Sequence, residues 1–142
     1  MTDSYLLIYL HRIVNTLDRK TMSICTKHGL TLSQFAVLEA LLHKGDLTVG
    51  QVKEAILSSD GTIPVVVKNL EKLGYITRLE DPKDKRRSIL TLTDAGRMLI
   101  EEVYPENREM IRQELSAWTE DEKRQMVALL RKFDYRKEEQ TS

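Results

Sequence analysis

Apolar residues recur at spacings of three and four along most of this chain, and glycines or short polar breaks separate the runs. Leu6, Leu10, Ile13 and Leu17 fall on one stripe of a stretch that ends at Lys27-His28-Gly29, which predicts a first helix over about 4–27 closed by a glycine. Thr31-Leu32-Ser33-Gln34 reads as a capping box. There the Thr hydroxyl and the Gln amide satisfy backbone N–H groups at the helix start, and Leu30 can staple against Phe35. A second helix through Val37, Leu38, Leu41 and Leu42 to Gly45 follows. Thr48-Val49-Gly50-Gln51 repeats the capping pattern with Leu47 and Val52 as flanking staple residues, and predicts a short third helix to about Leu57. Gly50 is a weak helix former there, so tertiary contacts are expected to hold that turn. Ser58-Ser59-Asp60-Gly61 supplies a turn and an N-cap. Ile63, Val66, Val67, Leu70 and Leu73 then mark a fourth helix ending at Gly74, with Pro64 in its first turn.

Beyond Gly74 the composition turns β-rich. Tyr75-Ile76-Thr77-Arg78-Leu79 and Ser88-Ile89-Leu90-Thr91-Leu92, flanking a polar segment that begins at Asp81-Pro82, predict a hairpin with a long loop. Thr93-Asp94 caps a fifth helix carrying Leu99, Ile100 and Val103 and, past Pro105, Met110, Ile111 and Leu115; Pro105 should bend or interrupt it. Thr119-Glu120-Asp121-Glu122 opens a sixth helix with Met126, Leu129, Leu130 and Phe133 on one side, before the polar tail. The predicted class is mainly α with a small β-hairpin.

At 142 residues, 41% hydrophobic and 31% charged, the chain suits one soluble folding unit rather than a disordered or membrane-spanning one. The first residues lack a basic segment and a small-residue cleavage site, so neither secretion nor a membrane span is expected. Formal net charge is zero, which gives no overall attraction to nucleic acid. The distribution changes that picture. Residues 93–142 carry nine Lys/Arg against twelve Asp/Glu, whereas Lys83-Asp84-Lys85-Arg86-Arg87 packs four cations around one acid at the hairpin tip. Such a patch suits a phosphate backbone, although a solvated charged turn would have the same composition.

Two short helices joined by a tight turn and followed by a basic-tipped hairpin form the winged helix-turn-helix arrangement. A helix fits the major groove, and a hairpin tip reaches the neighbouring minor groove or the phosphates. The fourth helix is the natural recognition helix. Its apolar side, Val66, Val67, Leu70 and Leu73, should pack on helices two and three, leaving Thr62, Val65, Lys68 and Asn69 outward, with Ser59 in the preceding turn also assigned to DNA. Leu70-Glu71-Lys72-Leu73-Gly74-Tyr75-Ile76, then Arg78, Asp81-Pro82-Lys83-Asp84-Lys85-Arg86 and Leu92-Thr93-Asp94-Ala95-Gly96, resemble in order and spacing the MarR family of bacterial transcriptional regulators. The resemblance implies a MarR-like winged helix domain over 1–142, with a DNA-binding lobe over 30–96 (helix-turn-helix about 48–73, wing about 76–92). Residues 4–27 and 97–137 would be the dimerisation helices. It also implies a cytoplasmic homodimer on a pseudo-palindromic operator in double-stranded DNA. By position, Asp84 would brace the wing through a salt bridge and Arg86 would enter the minor groove, with Lys85 and Arg87 on phosphates. Pro64 stands where the family more often has Ser or Thr, so a thymine-methyl contact from Pro64 or Val65 would replace a hydrogen bond.

Family resemblance further implies a repressor released by a signal, either a small aromatic, often phenolic, ligand or an oxidant. Cys25, the single cysteine, has three open uses: inert packing, redox sensing, or metal binding with His28 three residues on. Two ligands are too few for zinc, so neither metal nor cofactor is expected. His28 suits a helix C-terminal cation, and His11 and His43 surface or interface positions. Trp118 and Tyr104 suit packing or a pocket wall. No phosphate loop, nucleophile elbow or metal cluster occurs, so catalysis is not expected. The competing class is a winged helix used only for protein–protein contact, which would need no basic wing.

Overall fold

The computed structural model describes residues 1–56 and 62–141. Helices α1 (Thr2–Lys27), α2 (Leu32–Lys44), α3 (Val49–Ile56) and α4 (Ile63–Lys72) precede strands β2 (Ile76–Asp81) and β3 (Asp84–Leu92). Helices α5 (Asp94–Glu114) and α6 (Glu120–Thr141) follow, and a two-residue strand, β1 (Leu47–Thr48), lies between α2 and α3. The expected turn at 58–61, with Ser59, lies outside the described residues.

The capping boxes at Thr31, Thr48 and Thr119 all form. In each the Thr hydroxyl accepts the third N–H (3.1, 3.2 and 3.2 Å), and the Gln34, Gln51 or Glu122 side chain accepts the Thr N–H (3.0, 2.9 and 2.8 Å). Gly29, Gly45 and Gly74, each expected at a helix end, have φ of 76°, 79° and 82°. Pro105 lies inside α5, which runs through it without interruption. Its missing N–H costs one backbone bond, but the helix on either side is held by residues already buried, Ile100 and Val103 among them.

The chain divides into two compact units, Met1–Met110 and Ile111–Ser142. In the first, Leu38, Val52, Ile63, Val67, Leu70, Ile76, Leu90 and Ile100 are all but inaccessible to water, so α2, α3, α4, α5 and the sheet share one core. Only the C-terminal part of α1 joins it, through Thr21 and Cys25; the Tyr5–Leu10 stretch stays exposed. In the second unit α6 carries ion pairs from Arg124 to Asp121 (3.0 Å) and Lys123 to Glu120 (3.3 Å), and leaves Leu129, Leu130 and Phe133 exposed.

The sheet is antiparallel in the order β1-β3-β2, with Leu90 opposite both Leu47 and Arg78. The loop predicted at the hairpin tip is instead a tight turn plus a bulge. Asp81 pairs with Asp84 across Pro82-Lys83, whereas Glu80 already pairs with Ser88. Lys85, Arg86 and Arg87 therefore have no partner across the hairpin. A bulge of this kind leaves its side chains free of the ladder and re-aims them.

Candidate nucleic-acid interface

Helix α4 starts at Ile63, after Thr62 at its N-cap, with Pro64 in its first turn, where a missing N–H is harmless. Ile63, Val67 and Leu70 face the core, while Thr62, Pro64, Val65, Lys68 and Asn69 are exposed, as expected of a recognition helix. Two expectations for its apolar side change. Val66 is only half-buried, and Leu73 is 56% exposed, because the helix ends at Lys72 and the chain turns away before another core-facing position is reached.

The wing is braced by Asp84. Its Oδ1 accepts the Arg86 backbone N–H at 3.0 Å and the Arg86 Nε at 3.3 Å, and its Oδ2 accepts the Arg87 Nε at 3.3 Å. These bonds hold its carboxyl below the usual aspartate range, the Arg86 backbone N–H contributing most and the two guanidinium groups next. The carboxylate turns two cations into a fixed pair, while Arg86 itself stays 91% exposed. Lys83 donates its N–H to Asp81 Oδ1 at 2.9 Å, which closes the turn, and Lys85 is exposed beside the pair.

Three linkages tie these elements together, of which only the Thr93 cap on α5 was expected from the sequence. Arg78 Nε lies 3.5 Å from Glu71 Oε2, tying the first wing strand to the last turn of α4. The Thr93 hydroxyl donates to the Gly74 carbonyl at 2.6 Å and accepts the Gly96 N–H at 3.0 Å, and the Thr93 N–H donates to the Tyr75 carbonyl at 3.1 Å. This joint fastens the end of α4 to the start of α5. His28, at the C-cap of α1 as expected, also meets Glu106 of α5, its Nε2 2.8 Å from Oε2, with Lys27 on the other carboxylate oxygen. Lys27 first and His28 second keep Glu106 below its usual range.

A sequence profile described as MarR family matches residues 28–87. The HTH-type transcriptional regulator MhqR of Bacillus subtilis is 32% identical over 127 residues, which is 89% of this chain and 88% of the relative. The chain belongs to the MarR family of HTH-type transcriptional regulators. A solved structure of a cysteine-to-serine mutant of MarR from E. coli, complexed with operator DNA, superposes on this MarR-family chain with a TM-score of 0.78 at 26% identity. The match covers 90% of this chain and 92% of that one. Bordetella bronchiseptica BpsR, whose DNA binding is regulated by 6-hydroxynicotinic acid, superposes with a TM-score of 0.76 at 30% identity, over 89% and 90% of the two chains.

Cys25 lies in the core at 1% exposure, and burial, the main cause, pushes its thiol up to about 11. The thiolate is the reactive form, so this setting opposes the chemistry of a sensor. We expect the native thiol to react with an aromatic disulfide reagent at pH 8 far more slowly than the same thiol in denaturant. Equal rates would place Cys25 at the surface. No cluster of three metal-ligating side chains occurs among the described residues, and none of their helices is long and apolar enough to cross a membrane.

Proposed function

We propose that this regulator is a cytoplasmic homodimeric repressor that reads a pseudo-palindromic operator with α4 in the major groove and the wing tip in the adjacent minor groove. The carrying observation is the Asp84–Arg86–Arg87 clamp on a bulge beside a recognition helix with an exposed polar face. Thr62, Val65, Lys68 and Asn69 are assigned to the major groove, with Ser59 kept as a contact by sequence alone. Arg86 takes the minor groove, and Lys85 and Arg87 take phosphates. A fixed Arg suits the negative potential of a narrow groove. Dimerisation would cover apolar surface that each unit leaves in water: Leu6, Leu7, Ile8 and Leu10 on α1, and Leu129, Leu130 and Phe133 on α6.

Release by a small aromatic ligand is the signal we favour over an oxidant, given the burial of Cys25 and the control of BpsR by 6-hydroxynicotinic acid. Such a ligand must bind the DNA-free form more tightly than the bound form.

Arg86→Ala should weaken operator binding by about 1–3 kcal/mol, which is roughly 5- to 150-fold. Lys68→Ala should lower the dependence of affinity on salt. Fluorescence anisotropy with an operator recovered from genomic DNA reads both. Wild-type affinity and salt slope in both variants would remove these residues from the interface.

A further inference from the structure

Between α3 and the root of the wing lies an open cleft of about 460 Å³, lined among the described residues by Gly50, Gln51, Glu54, Arg78, Arg86 and Arg87, with a few neighbours. Three arginines thus face one glutamate. Each arginine meets its carboxylate through Nε: Arg78 on Glu71, Arg86 and Arg87 on Asp84. Arginine has five N–H donors, so the outer Nη groups remain for a second acceptor, already oriented by the first. Phosphate oxygens match that fork.

Gly50 gives an independent reason to look outward. It lies in the first turn of α3, where glycine is unfavourable relative to alanine. Packing of Val49 and Val52 on the core holds the turn as expected, but it does not call for a glycine, since a Cβ built there would meet only Thr48 Oγ1, at an ordinary 3.9 Å. Nothing within the described chain requires a bare backbone at this position. Close approach of an external group would.

We propose that this cleft seats a backbone phosphate of the bound DNA, gripped by Arg78 together with Arg87 while Arg86 reaches on into the minor groove, and that Gly50 is bare so that the strand can pass against α3. The inference rests on the DNA-binding reading above and adds Arg78 and Gly50 to its interface. The phosphate carries no sequence information, so the site would strengthen binding to every sequence alike and fix the register of the lobe on the duplex.

The test uses the full chain and a mixed-sequence duplex, with affinity measured across a salt series for wild type, Arg78→Gln, Gly50→Ala and Gly50→Asp, each checked by thermal melting. Arg78→Gln should reduce the slope of log affinity against log salt by about one. Gly50→Ala should melt higher than wild type, and Gly50→Asp should melt no lower, because a carboxylate in the first turn of a helix is favourable. Gly50→Asp should nevertheless bind DNA several-fold more weakly, so the loss cannot be ascribed to unfolding. If wild type binds and both Arg78→Gln and Gly50→Asp keep its affinity and slope, the cleft is no phosphate seat and the general DNA reading stands. Absence of wild-type binding to any duplex would overturn both. Inorganic phosphate that raises the melting temperature of wild type but not of Arg78→Gln, with DNA binding unchanged in the variants, would make this a small-anion site and overturn the inference.

Discussion

Gly96→Ala is expected to destabilise the protein by about 3 kcal/mol, the upper end of what overpacking a close-fitted site costs. A Cβ at residue 96 would stand 2.0 Å from the Tyr75 carbonyl oxygen and 2.9 Å from its carbon, and both are backbone atoms that cannot rotate aside. That oxygen also accepts the Thr93 N–H, so relief of the clash pulls on the joint between α4, the wing and α5. Urea unfolding at one fixed protein concentration reads the change, because association contributes to the apparent stability of a dimer. A midpoint equal to wild type would mean that α5 does not start against Tyr75. The DNA affinity of the folded fraction should fall as well, since the same joint orients α4, the helix proposed to read the major groove.

The second large effect belongs to Leu90→Ala, for which loss of ~2–5 kcal/mol is expected from the buried methyl groups and the cavity they leave. Leu90 is wholly buried at the centre of the sheet, opposite Leu47 on one side and Arg78 on the other. Leu79, on the neighbouring strand but 60% exposed, makes the control: Leu79→Ala should stay within about 0.5 kcal/mol of wild type. Equal losses in the two variants would mean that the strand faces are assigned wrongly, because adjacent residues of a strand point to opposite sides. Loosening β3 should also release the bulge that carries Arg86, so Leu90→Ala is expected to weaken DNA binding beyond its effect on folding.

The sequence by itself determined the features that depend on residues close in the chain. The Thr31, Thr48 and Thr119 capping boxes form because donor and acceptor lie three residues apart, and Pro64 sits in a first turn because its ring presets φ there. The outward face of α4, with Lys68 and Asn69 exposed, followed from its apolar period. Tertiary structure alone decided what depends on a partner far along the chain. Strand β1 is two residues long and has no local signal; it exists because Leu47 and Thr48 find Leu90 and Ile89. Leu73 carries the same apolar signal as Leu70, yet only Leu70 meets the core, since the helix stops between them. His28 closes α1 by its local sequence, and only folding brings Glu106, 78 residues on, against it. Gly50 and Gly96 look alike in a sequence, as glycines in the first turn of a helix. The neighbours that folding brings separate them: Gly96 is closed in by the backbone of Tyr75, and Gly50 faces an open cleft. Spacing along the chain fixes short-range hydrogen bonds, but burial and close approach are properties of the assembled core.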